Sequence, residues 1–207
     1  MKARNLFLCL AIFLSASTLN AQNSADALVR TFTNQLKSHK NMELVFNYQF
    51  SFDGKDFNKT QSGKAWLQGD AYRVEMSEQQ NISDGKTIWT YFPEEEEVML
   101  SNASEGTDNT PLKLLTSLDE NYAATVTKMD NDGLCTVELA NPNGQYKRIS
   151  LKINTKTTEI KSADIYLEDG SLMVVNIEEV KFDQKLDDKF FTFDEKAHPR
   201  VDIIDMR

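Results

Sequence analysis

The chain has 207 residues, 40% of them hydrophobic and 27% charged, with a formal net charge of −9. So acidic a surface repels a polyanion, which excludes nucleic acid as a natural partner. The length allows one domain with a sizeable core, and two cysteines exclude a disulfide-stapled scaffold.

The first element is a leader. Lys2 and Arg4 precede an apolar run at residues 6–14, and small and polar residues follow as far as Ala21. That is the three-part order of a secretory signal peptide, and the run is too short to span a bilayer. Cleavage after Ala21 is expected to leave a single domain over residues 22–207, exported to the periplasm as a soluble protein. Cys9 lies inside the apolar run behind Leu-Phe-Leu instead of following a small-residue site, which argues against lipid attachment there. Cys135 would then be the lone cysteine, without a disulfide partner, and reads as a small buried apolar side chain.

Across residues 25–39, Leu28, Val29, Phe32 and Leu36 recur at helical spacing with Ser24 as the expected N-cap. The period then falls to two. In "MELVFNYQFSF" the apolar residues Leu44, Phe46, Tyr48, Phe50 and Phe52 alternate with Asn47, Gln49 and Ser51, which predicts a strand with one face in grease and the other in water. "GKAWLQGDAYRVEM" reads as two strands about a Gln68-Gly69-Asp70 turn, with Tyr72, Val74 and Met76 on one face. Asp84-Gly85 signals a hairpin, and residues 87–92 form a strand stopped by Pro93.

"SNASEGTDNTP" is the longest turn-rich segment. It leads into a short helix over residues 111–118, with Thr110 as cap and Pro111 in its first position. Strands are then expected at residues 123–129, 134–139, 145–153, 159–168 and 172–182, separated by Asp132-Gly133, Asn143-Gly144 and Asp169-Gly170. No helical crossovers separate them, so an antiparallel meander curling toward a barrel is expected, with the two helices as its lid. Neither an internal repeat nor a domain boundary interrupts the pattern.

Catalytic signals are sparse. His39 and His198 are the only histidines, outside any H-x-x-x-H spacing, and no G-x-S-x-G elbow occurs. Glu94 to Glu97 could attract calcium or a basic partner, but the run lacks the spaced oxygen ligands of a calcium loop and reads as a solvated turn. Gly63, Gly69 and Gly85 read as three separate turns, not a phosphate loop. No catalytic residue, metal or cofactor is therefore expected. What stands out is apolar excess in one half of the sheet: Phe46, Tyr48, Phe50, Trp66, Tyr72, Val74, Met76, Trp89 and Tyr91. Periodicity alone leaves two readings open, an ordinary core and a ligand cavity.

Four stretches, "GKAWLQGDAYRVEM", "NISDGKTIWTYFPEEEEV", "DNTPLKLLTSL" and "FFTFDEKAHPRVDIID", resemble in order and spacing the LolA family of periplasmic lipoprotein carriers. The most recognisable element is Ser83 to Thr87 followed by Trp89, Tyr91 and Pro93. The resemblance implies a mainly β (α+β) fold: an unclosed antiparallel half-barrel with a few short helices as a lid over a hydrophobic cavity. It also implies a carrier of lipoprotein acyl chains, di- or triacylated, which receives them from an inner-membrane ABC transporter of the LolCDE type. Delivery to an outer-membrane acceptor would follow, by a monomer. On this resemblance Tyr72, Val74 and Met76, the preceding strand's Phe46, Tyr48 and Phe50, and the helix residues Phe32 and Leu36 would line the cavity. Leu112, Leu114, Leu115 and Thr116 would form the lid helix.

Two departures stand out. Gln68-Gly69-Asp70 replaces the family's Arg-Pro turn, whose arginine bonds the lid, and Arg200 replaces a tail glycine. An alternative of the same fold is a lipid- or lipoprotein-sensing module that signals to a membrane-anchored regulator. A lipid hydrolase built on His198 or Cys135 is a further alternative.

Overall fold

The computed structural model describes residues 16–103, 123–140 and 146–207. Helix α1 (Ala16–Ser38) leads into two runs of strands. The first is β1 (Met42–Ser51), β2 (Gln61–Gln68), β3 (Ala71–Glu75), β4 (Gln80–Ser83), β5 (Thr87–Phe92) and β6 (Glu97–Asn102). The second is β7 (Ala123–Met129), β8 (Leu134–Ala140), β9 (Tyr146–Asn154), β10 (Glu159–Leu167) and β11 (Leu172–Phe182). A 3-10 turn (Asp188–Phe191) and the short strand β12 (Asp202–Asp205) complete the described elements.

All twelve strands belong to one sheet, ordered β12-β6-β5-β4-β3-β2-β1-β11-β10-β9-β8-β7. Each run is a meander of short antiparallel hairpins, and the two runs are sewn together where β1 pairs with β11. The ladder does not close, so the architecture is the expected mainly β half-barrel. Side chains of α1, of β1 to β3 and of β7 to β10 share one buried cluster, as a sheet curled about a helix produces.

Local chemistry explains most boundaries. Gly69, Gly85, Gly133 and Gly170 take positive φ at four turns where the sequence places Gly beside Asp. Helix α1 already covers Ala16–Ser38, so Ser24 lies within the helix instead of capping it; residues 16–24 contain no glycine or proline to stop it. Gly63 is not at a turn but in the middle of β2. Phe52 falls beyond the end of β1 and is exposed, not in grease. Two strands escaped prediction: β6, which opens on the last residue of the acidic run, and β12, which pairs parallel with β6. The expected helix at 111–118 lies outside the described residues.

The apolar excess of β2 to β5 divides between two faces. Cross-strand partners share a face, and Ile82 pairs with Trp89, Trp89 with Leu100, and Tyr91 with Val98. These form a second cluster on the convex side, covered by Phe193 and Val201 of the tail. Trp66 also faces that side, edge-on to Phe190 at 5.1 Å. Arg73 fixes the tail there: its guanidinium lies over the Phe190 ring, Nη1 donates to Phe190 O at 3.3 Å, and Nε donates to Glu75 at 2.8 Å. Trp66, Trp89 and Tyr91 therefore support the sheet from outside.

The acidic run is the β5–β6 turn. Glu96, at φ 53°, pairs with Arg200 at 2.5 Å, and its carbonyl accepts from Asp202 N at 2.8 Å. The arginine that replaces the tail glycine thus ties the tail to the turn. Both side chains are largely solvated, so the pair adds little stability.

Candidate functional site

The concave face is built by alternation. Met42, Leu44, Phe46 and Tyr48 of β1 point inward and are buried; opposite them stand Leu67, Ala65, Gly63 and Gln61 of β2. Tyr72 and Val74 of β3 continue the face beside Leu67 and Ala65. On the far side of α1, Cys135, Val137, Leu139, Ile149, Leu151 and Ile153 are sealed from solvent and fill the region where the helix packs. Cys135 is free, and burial pushes its thiol pKa up, which makes it a poor nucleophile.

Five of the expected lining residues, Phe32, Phe46, Tyr48, Tyr72 and Val74, fall in this single cluster, and Met76 packs against it. Phe50 lies on the same face of β1 but outside the cluster, its ring edge-on to Phe52 at 4.8 Å. The side chain of Leu36, and the whole of Leu112, Leu114, Leu115 and Thr116, lie outside the described residues.

Reasoning from the sequence missed the most open part of this face. On β11, Met173, Val175, Ile177, Val180 and Phe182 pair with Phe50, Tyr48, Phe46, Leu44 and Met42 of β1. They pack against the cluster, yet all five are only partly buried. The clue was present as alternation across residues 173–177, but a bulge opposite Val45 and Phe46 shifts the parity between Ile177 and Val180.

Two details fix the ring positions. A Cβ on Gly63 would stand 2.5 Å from Cζ of Phe46, so only glycine lets that ring lie across β2. The Tyr48 hydroxyl donates to Gln61 Oε1 at 2.5 Å and lies 3.3 Å from Ser77 Oγ, so the one polar group of that side chain is satisfied at the rim.

Where α1 approaches β1, β10 and β11, an apolar pocket of about 30 Å³ remains, lined by Phe32, Leu44, Ile160, Ile177, Val180 and Phe182. It has room for little more than a water-sized group. An acyl chain could enter this pocket if the helix parted from β11.

Several contacts tie the end of β11 to the link between α1 and β1. Asp183, in the left-handed region at φ 55°, accepts from His39 Nδ1 and from the Lys40 backbone N–H, both at 2.8 Å, while the His39 ring stacks on Phe182 at 4.0 Å. The His39 bond, and after it the Lys40 N–H, hold the Asp183 carboxyl below the usual carboxylate range. A lowered pKa means that this stabilisation is complete above the unfolded-state value and is lost as pH falls through the folded one. The Asp183→Asn variant should accordingly flatten the acid limb of the stability–pH curve while leaving the neutral region nearly parallel to wild type. Unchanged acid sensitivity in urea titrations would remove Asp183 from the account.

The Gln68-Gly69-Asp70 turn sits beside the same helix end. A pocket of about 320 Å³ opens there between Thr33, Lys37 and His39 on one side and Leu67, Gly69 and Asp70 on the other. Gln68 Oε1 accepts from Asn41 Nδ2 at 3.3 Å, a lateral bond within the sheet end.

The family model described as outer membrane lipoprotein carrier protein LolA matches residues 38–194. The chain belongs to the LolA family. Its fold is similar to that of an uncharacterized conserved protein from Thermus thermophilus, at 10% identity and TM-score 0.58 over 88% of this chain and 99% of that one. A DUF1329 family protein from Desulfovibrio piger is similar at 15% identity and TM-score 0.51, over 86% and 98%. The LolA superfamily protein NE2245 from Nitrosomonas europaea aligns at 13% identity and TM-score 0.45, over 82% and 97%. No curated protein sequence matches the chain. As in any LolA-family reading, the membrane relation matters: no helix among the described residues is long and apolar enough to cross a bilayer. No group of three metal-ligating side chains occurs among them either.

Proposed function

We propose that this LolA-family protein is a periplasmic carrier that shelters the acyl chains of di- or triacylated lipoproteins on its concave face. It would take them from an inner-membrane ABC transporter of the LolCDE type to an outer-membrane acceptor, acting as a monomer and breaking no bond. Phe32, Leu36, Phe46, Tyr48, Tyr72, Val74 and Met76 would form the greasy wall. Leu112, Leu114, Leu115 and Thr116 would close over it.

The observation that supports this reading best is the row from Met173 to Phe182. Five apolar side chains on one strand pair with the inward row of β1 and are only partly buried among the described residues. An ordinary core strand between two buried neighbours has no reason to stay half wet.

The energetics favour a collapsible site. An acyl chain of about fifteen methylenes would gain roughly 12 kcal/mol on full burial, at about 0.8 per methylene. Two or three chains at that rate would never leave. If the empty face closes on itself, as the small pocket between α1 and β11 allows, the self-contact competes with cargo and makes release feasible.

Mass spectrometry of the protein isolated natively from the periplasm tests the proposal. Acylated lipoprotein amino-terminal segments should accompany it in about stoichiometric amount. Protein that is always recovered empty, or that holds cargo indefinitely before acceptor membranes while bound to a membrane-anchored regulator, would overturn the carrier role.

A further inference from the structure

We infer that the β1–β2 loop, residues 52–60, is a membrane-docking tip whose exposed phenyl rings enter the interface of a zwitterionic phospholipid bilayer at the end of the apolar row. The inference deepens the carrier reading and rests on it for the meaning of the docking, though not for the docking itself.

Three observations converge. Phe52 is 84% exposed and Phe57 40% exposed, two large apolar side chains on one loop. The loop is not slack. Asp53 Oδ1 accepts from Ser51 Oγ and from the backbone N–H groups of Lys55 and Asp56 at 2.9–3.0 Å. Asn58 is tied to Phe50 in both directions, its N–H donating to Phe50 O at 3.0 Å and its Oδ1 accepting from Phe50 N at 2.8 Å. The rings are therefore presented, not collapsed.

The third observation is continuity. The inward row on β11 ends at Met173, which pairs with Phe50. Phe50 meets Phe52 edge-to-face at 4.8 Å. A greasy path thus runs from Phe182 beside α1, along β11, through Phe50, to a ring in open solvent. Phe52 is the place where that path leaves the protein.

Charge selects the partner. The chain carries −9 overall, whereas the loop balances Asp53 and Asp56 against the exposed Lys55 and Lys59. A strongly anionic membrane would repel the body of the protein; a neutral headgroup layer would not, and the two lysines can reach its phosphates. Aromatic rings with flanking lysines suit the boundary between headgroups and acyl chains.

Co-sedimentation of the purified protein with phosphatidylcholine–phosphatidylethanolamine vesicles tests this. Wild type should bind, and Phe52→Ser and Phe57→Ser should each weaken binding roughly tenfold, the double variant about a hundredfold. Adding anionic phosphatidylglycerol at low salt should weaken wild-type binding. Both side chains are exposed, so the variants should keep the wild-type melting temperature and their cargo.

Equal vesicle binding by wild type and the double variant overturns the inference. So does a wild type that ignores vesicles but forms a concentration-dependent dimer lost on Phe52→Ser, which would make the tip a contact between copies. Ring-dependent vesicle binding by a protein never found with acyl cargo would sink the carrier reading and leave the docking tip standing. Normal cargo with ring-independent vesicle binding would do the reverse.

Discussion

Ile177→Glu should abolish acyl-chain loading while leaving the protein folded. Ile177 lies in the middle of the half-covered row, pairs with Phe46 and lines the pocket between α1 and β11. Without cargo, its carboxylate can turn to the water that already reaches this strand, so the loss of stability should stay near about 1–2 kcal/mol. With cargo, the same carboxylate would be sealed under acyl chains without a partner, a cost of several kcal/mol and so at least about a hundredfold in affinity. Native mass spectrometry should show the variant stripped, with a wild-type circular dichroism spectrum. Val74→Glu is a poorer probe, because Val74 is enclosed by the cluster beside Ala65 and would lose the fold before the cargo. Wild-type loading of Ile177→Glu would place the cargo somewhere other than the concave face.

Gly63→Ala is expected to destabilise the sheet by overpacking. The new Cβ would stand 2.5 and 2.7 Å from two atoms of the Phe46 ring and 3.1 Å from the Glu75 carbonyl oxygen. The ring must swing away from β2, and the backbone oxygen cannot swing at all. Overpacking of this kind costs about 1–3 kcal/mol, which for a domain of this size lowers the melting temperature by roughly 2–12 °C. The partner can be named in advance. Combining Gly63→Ala with Phe46→Leu should recover part of the loss, with a coupling of about 1 kcal/mol or more in a double-mutant cycle. Simple additivity would show that ring and glycine do not lean on one another.

Much of this molecule was legible as text because the signals are local. Alternation in residues 44–50 and 173–177, and Gly beside Asp at the hairpins, are properties of a few neighbouring residues, and strands appear there. What stayed illegible depends on which chain segment lies above a face. Trp66 and Tyr72 are both aromatic and both on the β2–β3 hairpin, yet one meets Phe190 on the outside and the other the core within. Only the tail decides between them, and its route follows from Arg73 and Arg200, residues more than a hundred positions from their partners. The candidate site divides likewise. Phe46, Tyr48, Tyr72 and Val74 announced themselves by period, while Val180 and Phe182 hid behind a bulge that no local pattern marks.

The seam between the two meanders sets when this protein can fold. Asn47 and Glu178, hydrogen-bonded across β1 and β11, are 131 residues apart, so the central ladder cannot form until nearly the whole polypeptide is available. Such long loop closures slow folding. The last strands to be made are thus the ones that lock the first in place.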